Sequence, residues 1–314
     1  MFPHCPDKPL QRGVPPSGRF GCDTSRGGMT LLELLMAMSI IVMVVGTLGT
    51  LARGIQQGFE YTEGHGTMTQ HARVALDRIT RTVREATANE RFPGVLVVAD
   101  TVGSWRFPDT LAVWHPDAAV LAAHPERLPL TDPNRKPYYD ELVIYCPCLP
   151  DPRKPAWLVE ITDPRDIALG DNEASWPAEI DAIRELCSDP SEDQTGNRTV
   201  LTKLMRKSSV FDANVNDLSV RGVVRFETML RPSEDEWDQY QSIAAAEPAN
   251  EPNAWKALPW VQGIYGSQTG LRQVWMRVEL QLMPGEEWQA ADSAGQQAVP
   301  FLDSAALYYE LHRK

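Results

Sequence analysis

The longest apolar stretch in the chain runs from Met29 to Leu51, 23 residues with a single charge, Glu33. A helix of that length rises about 35 Å, enough to cross a hydrocarbon core about 30 Å thick. Beyond it the pattern becomes amphipathic. Met68, Ala72, Ala75, Leu76, Ile79, Val83 and Ala86 recur three or four apart, while Arg73, Asp77, Arg78, Arg81, Arg84 and Glu85 fall on the other side. Such spacing predicts a helix with one apolar stripe. The stripe reads as core packing ahead of a partner-binding face. No proline occurs between Pro16 and Pro93, although the chain holds 25, and Phe92-Pro93-Gly94 is a stop signal. The pattern predicts one long helix from about Met29 to about Asn89. Gly46, Gly49, Gly54, Gly58, Gly64 and Gly66 lie along its middle, each weakening a helix by about 1 kcal/mol relative to alanine. Either Gly64-His65-Gly66 divides it into two helices, or the glycines make a segment able to unwind.

After Pro93 the character changes to strands and loops. The predicted strands are Val95–Val98, Thr110–Trp114, Glu141–Cys146, Trp157–Ile161, Val215–Thr228, Arg272–Leu282 and Ala306–His312. Alternation is clearest from Val274 to Leu282, where Arg277, Glu279 and Gln281 mark the polar face. Proline-rich polar stretches such as Leu149–Pro155 and Glu247–Pro259 separate the strands and read as surface insertions. A helix followed by strands, without βαβ punctuation, predicts an α+β fold: a mainly antiparallel sheet packed on the helix's stripe. The chain divides accordingly into 1–28, the apolar half of the helix at 29–51, its amphipathic half at 52–90, and a β-rich domain at 91–314.

The 314 residues carry a formal net charge of −12 and no Lys/Arg-rich stripe. An acidic surface repels phosphates, which argues against direct nucleic-acid binding. No GxSxG, HExxH, Walker or GxGxxG motif occurs, and His4, His65, His71, His115, His124 and His312 are scattered. No enzymatic activity is expected. The five cysteines lack the paired spacing of a zinc site. Cys146 or Cys148 bridging to Cys187 in an oxidising compartment, and three ordinary thiols, are both open readings. Trp237, Trp255 and Trp260 fall in loop-like regions, as edge caps of the core or as interface anchors.

Residues 1–28 carry Lys8, Arg12, Arg19 and Arg26 against Asp7 and Asp23. A basic leader before an apolar run predicts that the leader stays cytoplasmic and the rest is exported. A cleavable secretory signal would have a shorter apolar core and a clear small-residue cleavage site. A plain single-span anchor explains the length but not Glu33, because a charge within the bilayer costs a few kcal/mol or more. A first-turn charge near the headgroups, favourable at a helix N-terminus, is the bland account of Glu33.

Arg26-Gly27-Gly28-Met29-Thr30-Leu31-Leu32-Glu33, followed by the apolar run, resembles the class III signal of type IV pilins and type II secretion pseudopilins. The resemblance implies that a membrane prepilin peptidase cuts after Gly28 and methylates the new amino terminus at Met29. Phenylalanine is commoner there in the family, and methionine is tolerated. Glu33 becomes the fifth mature residue, where the family has its glutamate. A carboxylate among packed helices is costly alone but not when paired with a neighbour's amine, so Glu33 would favour docking at one register. Loss of four basic and two acidic leader residues would take the net charge from −12 to −14.

The end of the helix, Arg73 to Ala86, and the later stretch Val210-Phe211-Asp212-Ala213-Asn214-Val215-Asn216-Asp217-Leu218-Ser219-Val220-Arg221 are similar to J-type minor pseudopilins and W-type minor pilins. The acidic, proline-rich insertions depart from both. The resemblance implies a structural subunit at the tip or priming stage of a type II secretion pseudopilus, held in the inner membrane with its globular domain in the periplasm. Its partners would be other pilin subunits, the prepilin peptidase, the inner-membrane assembly platform and membrane lipid, with motion supplied by a separate ATPase. A minor type IV pilin for adhesion, motility or DNA uptake is one alternative, and a single-span anchored binding protein that never polymerises is another. No cofactor is expected. Some pseudopilins order loops with calcium, and Asp189, Glu192, Asp193 and Asn197 offer oxygen ligands near a glycine. Their spacing is not that of an EF-hand, and a solvated acidic loop explains them as well.

Overall fold

A computed structural model describes residues 30–89, 91–130, 132, 134–151, 154–185, 197–212, 217–231, 271–284 and 298–310, with 233, 235, 236, 238, 239 and 242. The chain divides into two compact units, Met1–Gln57 and Gly58–Lys314. Helix α1 (Leu31–Arg84) is continuous over 54 residues. Gly64-His65-Gly66 therefore does not divide it. The His65 ring meets Tyr61 one turn earlier, centroids 4.1 Å apart. A Cβ at Gly64 would lie 2.7 Å from the Pro284 carbonyl oxygen, so glycine permits that close approach.

The helix ends at Arg84, short of the expected Asn89. Asn89 is instead buried and fixes the exit from the helix. Its Oδ1 accepts from the backbone N–H groups of Arg91 and Phe92 at 3.0 and 2.8 Å, and its Nδ2 donates to the carbonyls of Asp132 and Arg135. An asparagine that binds its own backbone in this way competes with the helix.

The first strands are β1 (Val95–Val102), β2 (Trp105–Trp114), β3 (Leu142–Cys148), β4 (Ala156–Thr162) and β5 (Asn197–Met205). They are followed by β6 (Lys207–Asp212), β7 (Asp217–Gly222), β8 (Val224–Arg231), β9 (Leu271–Leu282) and β10 (Val299–Glu310). An eight-stranded sheet runs β1-β2-β3-β4-β5-β9-β10, with β8 paired to β9, and β6 and β7 form a separate ribbon. Every pairing among these named strands is antiparallel. The architecture is α+β, as expected.

All seven stripe residues are buried, six on α1 and Ala86 just past its end, and the sheet covers them with Val143 and Tyr145 of β3, Phe226 of β8, alternate residues Val274 to Leu282 of β9, and Ala305 and Leu307 of β10. The stripe is core. The opposite face of β3 presents Ile144, Cys146 and Cys148 to Ile180 and Ile183 of helix α3 (Trp176–Glu185); a shorter helix, α2, spans Ala118–Ala123. Burial on both faces explains why β3 reads as a continuous apolar run.

Two differences from the expected strands have physical causes. The expected strand Val215–Thr228 is two strands, β7 and β8, separated at Gly222-Val223. A Cβ at Gly222 would lie 2.7 Å from Met205 Sδ and 2.8 Å from Pro147 Cβ, and this tight crossing redirects the chain. β2 begins at Trp105 and includes Pro108, because β3 pairs only with Leu111–Trp114 and the pairing with β1 is irregular at Val98/Asp100. A proline costs little where ladder bonds are already missing. Helix α3 and strands β5 and β6 were not expected at all.

Candidate functional site

Thr30 stands immediately before α1, and Glu33 is the acidic residue of its first turn. The Thr30 backbone N–H donates to Glu33 Oε2 at 3.0 Å, its hydroxyl donates to the same oxygen at 3.1 Å, and the Glu33 N–H donates back to Thr30 Oγ1 at 3.3 Å. This is a capping box, which satisfies helix-end N–H groups that have no partner one turn earlier. The signal was present in the sequence as Thr30-Leu31-Leu32-Glu33, and the reading of Glu33 as a membrane charge passed over it. The side chains from Leu31 to Leu51 that follow are exposed within the chain. Among the described residues this is the one helix long and apolar enough to cross a membrane. The Gly28–Met29 junction lies outside the described residues.

The amphipathic half of α1 is fixed to the sheet by a polar network. Arg78 donates from Nε and Nη2 to the two Glu160 carboxylate oxygens at 2.8 and 2.9 Å. The Tyr145 hydroxyl lies 3.0 Å from Glu160 Oε2 and 2.8 Å from Thr82 Oγ1. Burial pushes the Glu160 carboxyl up, but Arg78 and the Tyr145 hydroxyl outweigh it and hold the group below its ordinary range. Burial and the adjacent carboxylate both push the Tyr145 hydroxyl up.

A second polar centre lies beneath Trp114. Glu141 is fully buried; it accepts from Trp114 Nε1 at 3.0 Å, from Arg127 at 3.0 Å and from Arg135. Arg127 also reaches Asp140 at 2.8 Å and Asp166 at 2.5 Å. His124, Asp140 and Asp166 offer ligand atoms within 4.8 Å of one another. The Arg127 guanidinium already binds both of those carboxylates, so a fixed cation occupies the place a metal would take.

Of the calcium candidates, Asn197 begins β5 and is exposed, while Asp189, Glu192 and Asp193 lie outside the described residues. Cys146 and Cys148 are buried on one face of β3 beside α3. Cys187, Trp237, Trp255 and Trp260 are also outside the described residues.

The described residues thus define an α+β protein whose N-terminal apolar helix continues into the helix that fills its sheet. Comparison with protein-family models, curated proteins and solved structures returned no match.

Proposed function

We propose that the chain is a minor pseudopilin: a structural subunit cut after Gly28, methylated at Met29, and assembled into a type II secretion pseudopilus from the inner membrane. The observation that carries this reading is the position of Glu33. It is the lone carboxylate of a helix segment whose remaining side chains to Leu51 are uncharged and exposed in the isolated chain. Two needs follow from that surface. Before assembly, lipid must cover it; within a filament, neighbouring helices would cover it, and the Met29 amine of a neighbour would neutralise Glu33. Packing of the stripe on the antiparallel sheet agrees with a pilin-like arrangement, in which the globular domain rides on the upper half of the helix.

The capping box favours a second reading. It gives Glu33 a local task that a plain, non-polymerising anchor would also use. Glu33→Gln separates the two, because glutamine can still accept from the Thr30 N–H but carries no charge. The pseudopilin reading expects Glu33→Gln and Glu33→Ala both to reach the membrane and both to fail in assembly with the partner subunits. Filaments formed at the normal level by Glu33→Gln would leave capping as the residue's role. A minor type IV pilin shares this chemistry and differs in the filament system it joins.

A further inference from the structure

A cavity of about 1040 Å³ opens on the face of the sheet turned away from α1. Its floor is the outer face of β8 and β9, with Arg225, Glu227, Met229, Trp275 and Glu279. The pairs Arg225↔Glu279, Glu227↔Arg277 and Met229↔Trp275 stand opposite each other across the two strands. The β6–β7 ribbon forms one wall, with Arg221; the β1–β2 end forms the other, with Arg106 and Phe107.

Four arginines line this space, Arg106, Arg206, Arg221 and Arg225, against two glutamates, in a chain whose net charge is −12. Arg221 and Arg225 are engaged by the chain's own carboxylates, and Arg106 and Arg206 are the two left for a ligand. Arg106 is exposed and has no carboxylate partner among the described residues. Arg206 is exposed, and its Nη1 meets the Gln281 side-chain oxygen at 3.2 Å rather than a carboxylate. Arg221 bridges to Asp100 and Asp109 and lies over the Phe107 ring at 4.8 Å, yet its buried Nε has no partner. Arg225 reaches Glu227 at 2.5 Å.

We propose that this groove binds an extended acidic segment of a partner protein. Arginine's planar donor fork matches carboxylates two at a time. The apolar sides of Phe107, Met229 and Trp275 would hold the intervening stems of the segment. The volume exceeds what a single inorganic anion fills and lies in the range of clefts that enclose larger ligands. A nucleic-acid backbone, with a phosphate on every nucleotide, meets more repulsion from the acidic surroundings than a segment with a carboxylate at alternate residues. A membrane surface is disfavoured by the concave shape and by Glu227 and Glu279. The site is independent of Glu33 and of the filament reading, since its residues all belong to the globular unit.

The test uses the full chain in detergent micelles and a fluorescein-labelled dodecapeptide of alternating Glu and Ala, with a Lys–Ala peptide as control. Saturable binding of the Glu–Ala peptide is expected, weakened at least tenfold by Arg106→Glu with Arg206→Glu. Both positions are exposed, so the double variant should keep the wild-type unfolding midpoint. It should also gain affinity for the Lys–Ala peptide. No saturable binding, equal binding of the two peptides by the wild type, or indifference to the double reversal overturns the proposal. Inorganic phosphate bound tightly while the Glu–Ala peptide is ignored also overturns it and makes the groove a small-anion site.

Discussion

Three donors converge on the buried carboxylate of Glu141: the indole of Trp114, and the guanidinium groups of Arg127 and Arg135, both of which are also buried. Removing one member of such a group leaves charges without counter-charge, which typically costs about 3–5 kcal/mol. Glu141→Ala is therefore expected to lower the stability of the globular unit by that order, measured by denaturant unfolding of the full chain. Glu160 makes a different prediction. Its folded pKa is depressed below the unfolded value of about 4.5. Its contribution is then complete above that value and is lost as pH falls through the folded pKa. Wild type and Glu160→Gln should show parallel stability above about pH 6, and the wild-type advantage should shrink below about pH 4.5. Neither network was legible in the sequence. Glu141, Arg127 and Arg135 are separated by loop residues whose convergence depends on the fold. Glu33 was legible as an anomaly, but its hydrogen bonds to Thr30 were read only from the structure.

Elements with a repeating pattern were the legible ones. The stripe of α1 and the alternation of β9 each repeat over many residues, so tertiary packing and local pattern agree. Helix α3 spreads Trp176, Ile180 and Ile183 over one short segment among prolines and acids, and its signal is correspondingly weak. The β7–β8 boundary depends on Gly222 passing Met205 and Pro147, a contact far apart in sequence. Glycine positions also carry predictions. Gly94 has φ 85°, and a Cβ there would lie 2.3 Å from Leu307 Cδ2. Gly94→Ala should destabilise by more than about 1 kcal/mol, seen as a lower unfolding midpoint. Gly54 and Gly58 differ, because a Cβ at either would meet nothing within 4 Å. Alanine there should stabilise the helix by about 1 kcal/mol each. If these glycines let the segment unwind during assembly, Gly54→Ala with Gly58→Ala will retain the fold and yield fewer filaments by electron microscopy. Undiminished filament yield would remove that role.

At the scale of the whole molecule, the two halves of α1 ask for different surroundings. From Met68 onward its stripe is buried by the sheet, while Leu31 to Leu51 remain exposed within the chain. The α+β class and the apolar helix were both readable from hydrophobic spacing, because each is a property of long segments. The proposed processing at the leader rests on a family motif alone, since cleavage would depend on recognition by another enzyme and would leave no packing signature. The central claim is thus a claim about a covalent bond. It is tested most directly by the intact mass of the membrane-extracted protein, made with and without an active prepilin peptidase. With the peptidase, the account predicts a chain beginning at Met29 and carrying one added methyl group; without it, the full-length chain. A full-length chain in both preparations, with the peptidase cutting a control substrate, would contradict the account and leave Glu33 as the cap of a membrane anchor.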